Sequence, residues 1–130
     1  STTGEVKPVN RMALLWQLDN HSVSKPYDGV SNKGIDMAGA PGTPIKAAAD
    51  GKVLYAGNGV RGYGNLILVS HSGGMLTAYA HNDKLLVSKD QTVRAGQQIA
   101  TMGSSDTDNT KLHFEVRVNG KAVNPMLYLN

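Results

Sequence analysis

Short β-rich apolar runs alternate with polar breaks along most of this chain, and fifteen glycines and five prolines punctuate them. That rhythm predicts an all-β domain of tight turns with very little helix. Pro44 to Ala49 and Lys52 to Ala56 read as two strands joined at Asp50-Gly51, a dipeptide suited to a two-residue hairpin. Asn65 to Ser70 is a nearly continuous apolar run, and Met75 to Ala80 follows after Ser72-Gly73-Gly74, so this pair reads as a second hairpin. Leu85 to Val87, Gln97 to Met102 and Leu112 to Val118 supply further strands, the last closed by Asn119-Gly120. Asn124-Pro125 caps one short turn through Leu129, with proline at the tolerated first helical position.

The first thirty residues follow this rhythm poorly. Met12 to Trp16 fits a strand or a helical turn equally well, and Asn20 to Asn32 reads as loop. A faint internal echo links Gly42-Thr43-Pro44-Ile45-Lys46-Ala47 with Ala95-Gly96-Gln97-Gln98-Ile99-Ala100, each a glycine turn that feeds a strand. Two copies are too few for a solenoid. If Lys111 to Arg117 is a strand, Lys111, His113 and Glu115 share one face while Leu112, Phe114 and Val116 share the other.

Composition narrows the class. A chain of 130 residues is one domain by length, and its 40% hydrophobic and 18% charged content is ordinary for a soluble globular protein. No apolar stretch is long enough for a transmembrane segment, and no signal peptide is visible at Ser1. The absence of cysteine excludes disulfides and thiolate metal sites. A net charge of +3 is spread along the chain without aromatic interleaving, which argues against nucleic acid as a partner.

Three segments carry candidate chemistry: Asn32-Lys33-Gly34-Ile35-Asp36, Ala78-Tyr79-Ala80-His81 and Lys111-Leu112-His113-Phe114-Glu115. With Gly62-Tyr63-Gly64-Asn65 between the first two, they resemble in order the signatures of the LytM-type, lysostaphin-like zinc endopeptidases of bacterial peptidoglycan. The resemblance implies an antiparallel β-sheet core built from duplicated half-motifs, which the internal echo fits. It divides the chain into a poorly matched N-terminal extension or first strand, residues 1–31, and a degenerate LytM-type domain, residues 32–130, within one globular unit.

Carried over position by position, the family's metal ligands would stand at Asn32, Asp36 and His113, and its catalytic histidines at His81 and Lys111. Two of the five are therefore substituted. Asparagine offers zinc only a neutral carbonyl oxygen, whereas a catalytic site needs three good ligands and an open position for water. A lysine charge about 7 Å from a dication opposes it by roughly 5 kcal/mol at an effective dielectric of ~20. Zinc is accordingly expected to be absent, His81 and Lys111 to be vestigial, and Lys111 to pair with Asp36. His71 has no assigned role, and His21 is expected to be exposed.

Within the family, the motifs are most similar to those of the NlpD-type amidase activators, which also carry asparagine and a basic residue at the two substituted positions. That likeness implies a non-enzymatic domain that activates an N-acetylmuramoyl-L-alanine amidase during cell separation. Its docking groove would be lined by Asn32, Asp36, Tyr63, His81, Lys111 and His113. It also implies a bacterial periplasmic location, anchored to the outer membrane through upstream sequence, with peptidoglycan as a possible second partner. The competing readings are a zinc-dependent endopeptidase with altered ligands and a peptidoglycan-binding module.

Overall fold

The computed structural model describes residues 13–20 and 22–129, and its described strands form one antiparallel sheet system. In chain order these are β1 (Val23–Lys25), β2 (Ile35–Ala38), β3 (Pro44–Lys46), β4 (Gly51–Gly57) and β5 (Asn65–Ser70). They continue as β6 (Met75–Leu85), β7 (Thr92–Val93), β8 (Gln98–Met102), β9 (Lys111–Val118) and β10 (Lys121–Val123). Side by side they run β1-β2-β9-β6-β5-β4-β7, with β10 paired to β9 and with β8 joining β3 to β6. Among the described residues helix is confined to two three-residue 3-10 turns, Ser72–Gly74 and Pro125–Leu127. The all-β expectation holds, and among the described residues no helix is long and apolar enough to cross a membrane.

The β5–β6 hairpin forms across Ser72–Gly74 as expected, and Asn119-Gly120 turns β9 into β10, both residues having positive φ. Asn124 caps the last turn by accepting a hydrogen bond from the Met126 amide. The hairpin expected at Asp50-Gly51 does not form. β3 pairs instead with β8, and β4 lies between β5 and β7. Ala47 to Ala49 are taken out of strand pairing with β4 by other partners. Ala47 exchanges backbone bonds with Gln97 and Gly96, and the Ala48 amide donates to the buried Tyr79 hydroxyl at 2.9 Å. The two glycine-led echoes thus pair antiparallel with each other, Ile45 opposite Ala100.

Other expectations shift at the margins. Leu85 ends β6 rather than starting a new strand, and Leu86 and Val87 follow outside it. Met12 lies outside the described residues. Leu14 forms an isolated parallel bridge with Leu129, so the segment is neither strand nor helix. The Asn20 to Asn32 stretch is not all loop: Val23–Lys25 is β1, paired with β2. His21 also lies outside the described residues.

One face of the sheet holds the core. Leu112, Phe114 and Val116 from β9 meet Ile35 and Met37 from β2, Tyr79 from β6 and Leu14 from the N-terminal segment, all without exposed surface. The opposite face carries a smaller cluster of Leu66, Ala78 and Ala80 with Tyr55, Tyr63 and Leu68 packed against it. That second face holds the candidate positions Asp36, Tyr63, Lys111 and His113.

Candidate functional site

β2 and β9 run antiparallel with Asp36 opposite His113 and Ala38 opposite Lys111. Strand alternation then sets Lys111, His113, Glu115 and Arg117 in one row beside Asp36. Gly34 permits the close approach that makes this register possible. A Cβ there would run into the Phe114 carbonyl oxygen.

The row is joined end to end. Lys111 Nζ lies 3.2 Å from Asp36 Oδ2, the pairing expected from strand geometry. His113 Nδ1 is 2.6 Å from Asp36 Oδ1, and His113 Nε2 is 2.8 Å from Glu115 Oε2. Arg117 donates to Glu115 Oε1 from Nε at 3.0 Å and from Nη2 at 2.8 Å. The Tyr63 hydroxyl donates to Glu115 Oε2 at 2.8 Å. Three cations therefore alternate with two carboxylates, and the row carries a net positive charge.

The hydrogen bonds decide the protonation states. A carboxylate only accepts, so an imidazole between two carboxylates donates from both nitrogens and is an imidazolium. Burial works to lower the His113 pKa, but the bonds to Asp36 and Glu115 outweigh it and raise it to about 9. Burial likewise works to raise Glu115, yet His113, Tyr63 and Arg117 bring it down to about 2. Asp36 is held below the usual carboxylate range because His113 and Lys111 overcome its desolvation. Tyr63 is pushed up by burial and by the neighbouring Glu115 charge.

His81 sits where β6 changes partner, leaving β9 after Ala80 and meeting β8 from Asn82 onward. Its φ of 68° marks the kink. The Tyr63 carbonyl accepts from the His81 amide at 2.8 Å, and its ring Nδ1 is 2.8 Å from the Ser105 carbonyl oxygen. Burial, then the nearby Lys111 and His113 charges, lower its pKa, so the ring is neutral. Its centroid is 6.2 Å from that of His113, and the Tyr63 ring packs edge-on to His113 at 6.1 Å.

Asn32 stands apart from this cluster. It is 5% exposed, and its Nδ2 donates to the Pro26 carbonyl at 2.9 Å, within the loop joining β1 to β2. Of the six expected groove residues, five converge, while Asn32 braces that loop. Glu115 and Arg117 complete the row without having been assigned a role from sequence. Their alternation with Lys111 and His113 along one strand was the signal that pointed to them.

These residues do not fit a zinc ion. The Lys111 ammonium sits on Asp36 where a dication would be, and the Asn32 amide is turned away to a backbone carbonyl, which leaves too few ligands for the ion. Among the described residues no group of three or more His, Cys, Asp or Glu side chains is arranged to hold a metal.

Comparison with known proteins gives this site its relatives. The murein hydrolase activator NlpD of Salmonella dublin is 61% identical over 131 residues, covering 99% of this chain and 34% of that protein. The outer membrane antigenic lipoprotein B of Haemophilus influenzae is 59% identical over 98 residues, covering 75% of this chain and 24% of that protein. The chain thus spans about a third and about a quarter of the length of these two relatives. A zinc-containing peptidase from Vibrio cholerae has the same fold, with a TM-score of 0.82 at 29% identity over 88% of this chain and 39% of that one. The likeness to NlpD-type LytM domains read from the motifs is borne out. The model of peptidase family M23 matches residues 30–125, and the chain belongs to that family.

Proposed function

We propose that this chain is a catalytically inactive M23 domain that activates a peptidoglycan N-acetylmuramoyl-L-alanine amidase during bacterial cell separation. One observation carries the reading: Lys111 Nζ lies 3.2 Å from Asp36 Oδ2 and Asn32 is turned to the Pro26 carbonyl, so two of the family's ligand positions are taken up by internal bonds. A site of this kind has no metal-bound water to attack a peptide bond, and zinc is not its cofactor. The relatives named murein hydrolase activators support the same conclusion. Those named lipoproteins support an envelope location, in the periplasm and tethered to the outer membrane through sequence upstream of this domain.

In this reading Asp36, Tyr63, His81, Lys111 and His113 form the groove that docks the amidase. Activation requires that the groove bind the active amidase conformation more tightly than the inactive one. The test is a peptidoglycan-release assay with this chain alone, an amidase of the same bacterium alone, and both together. Release should appear with the amidase, rise with both, and be absent with the chain alone, with or without added zinc. Zinc-dependent release by the chain alone would overturn the reading.

A further inference from the structure

Val30 stands at the tip of the loop between β1 and β2, and 84% of its surface is open to solvent. Among the described residues it is the most exposed of the large hydrophobic side chains. The loop that carries it is not slack. Asp28 Oδ1 accepts from the amides of Val30, Ser31 and Asn32 at 2.8, 2.8 and 2.9 Å, and Oδ2 accepts from the Ser31 hydroxyl at 2.6 Å. The amides of Asp28 and Gly29 both donate to the Asn32 carbonyl at 3.1 Å. Lys33 Nζ donates to the Gly29 carbonyl at 3.0 Å, and Asn32 closes the base through Pro26.

A mobile loop would let an apolar tip fold back onto the protein surface. Here bonds on both sides of the tip hold it outward. An apolar side chain fixed in place before binding loses little freedom when it enters a partner, which is how interface anchors gain affinity. The same loop runs through the buried Asn32 and Gly34 into Asp36, so the backbone that holds the tip also leads into the charged row.

We propose that the Asp28–Asn32 loop is a preformed docking element that inserts Val30 into an apolar socket on the activated amidase. This rests on the activator reading above and names the contact that reading leaves open. Exposed Lys25 and Lys33 flank the loop, so the rim of the socket is acidic. The position that the family signature gives to a metal ligand serves here, as Asn32, to brace the docking loop.

The experiment titrates an N-acetylmuramoyl-L-alanine amidase of the same bacterium with the 130-residue chain and with three variants. Affinity and peptidoglycan release are read together, and circular dichroism and urea midpoints confirm folding. Val30→Asp should raise Kd about tenfold or more and lower stimulation in step. Val30→Ile keeps a β-branched apolar tip with one added methylene and should stay within about threefold of the parent. Asp28→Ala keeps the apolar tip but releases its clamp, and should weaken binding about fivefold through lost preorganisation. Unchanged Kd for Val30→Asp, while the parent chain stimulates the amidase, overturns the docking element alone. No stimulation by the parent chain removes the activator reading and this inference with it. Loss of binding to purified amidase-free sacculi, with amidase affinity intact, assigns the loop to the wall polymer and overturns the inference.

Discussion

Glu115 is 2% exposed and receives His113, Tyr63 and Arg117 on its two oxygens. Removing it leaves the partly buried Arg117 guanidinium without its carboxylate and His113 with Asp36 alone, which is costlier than never having placed those charges there. Glu115→Ala should lower stability by about 3 kcal/mol, measured as a shift in urea midpoint at constant m-value. The histidines set the pH dependence. His113 has its pKa raised from 6.5 to about 9, so its contribution is full below pH 6.5 and is lost as pH rises toward 9. His71 and His81 are lowered from 6.5, chiefly by burial, so their contributions are present above pH 6.5 and are lost as pH falls. Glu115 remains ionised until pH falls toward 2. Stability should therefore peak near pH 6.5 and decline on both sides. A urea series from pH 4 to 10 reads this out, and in Glu115→Ala the alkaline limb should flatten, because His113 loses one of the two anions that raise its pKa. A profile still rising between pH 7 and 9 would contradict the imidazolium assignment.

At the scale of elements, the site depends on how closely β2 approaches β9. Asp36 reaches His113 only because the strand enters at Gly34 with no side chain against the Phe114 backbone. Gly34→Ala forces the strands apart or bends β2, and should cost about 2–3 kcal/mol, within the range for overpacking at a fixed contact. In proton NMR the downfield resonance of the His113–Asp36 hydrogen bond should shift or broaden in this variant. Local turn chemistry at Asp50-Gly51 favours a hairpin, yet the three alanines before it are too small to fill a strand face alone. Ala47 and Ala48 instead bond to Leu15, Gln97 and Tyr79, and β3 finds its partner far along the chain in β8, Ile45 opposite Ala100. β7 and β10 were also missed, since two or three residues carry no periodicity to detect.

For the whole molecule, the two faces of the sheet divide the work. The core face is predominantly apolar, with Thr77 and His71 bonded beside Tyr79, and supplies the stability, while the other presents a charged row beside the smaller apolar cluster of Leu66, Ala78 and Ala80. Charged and aromatic groups at the centre of an interface dominate its energy. Lys111→Ala and Tyr63→Ala should each reduce amidase stimulation about tenfold while leaving the secondary structure intact, checked by activity titration with parallel circular dichroism. Equal stimulation by a variant carrying both changes would move the activating surface away from the row.

The order of the strands' apolar runs, the all-β class, and the row of Lys111, His113 and Glu115 on one strand face were determined by the sequence by itself. Each depends only on period-two alternation and turn residues, which act over a few neighbours. The pairing of Lys111 with Asp36 was also legible, because charge and strand geometry leave it few alternatives. Tertiary structure alone decided the rest. Whether Asn32 faced the cluster or the loop depended on where Pro26 lies, and Pro26 is placed by the pairing of β1 with β2. Whether His113 was neutral or charged depended on both ring nitrogens meeting carboxylates, one of them 77 residues away in sequence. Those are long-range distances, and a hydrogen bond turns on tenths of an ångström that no local pattern encodes.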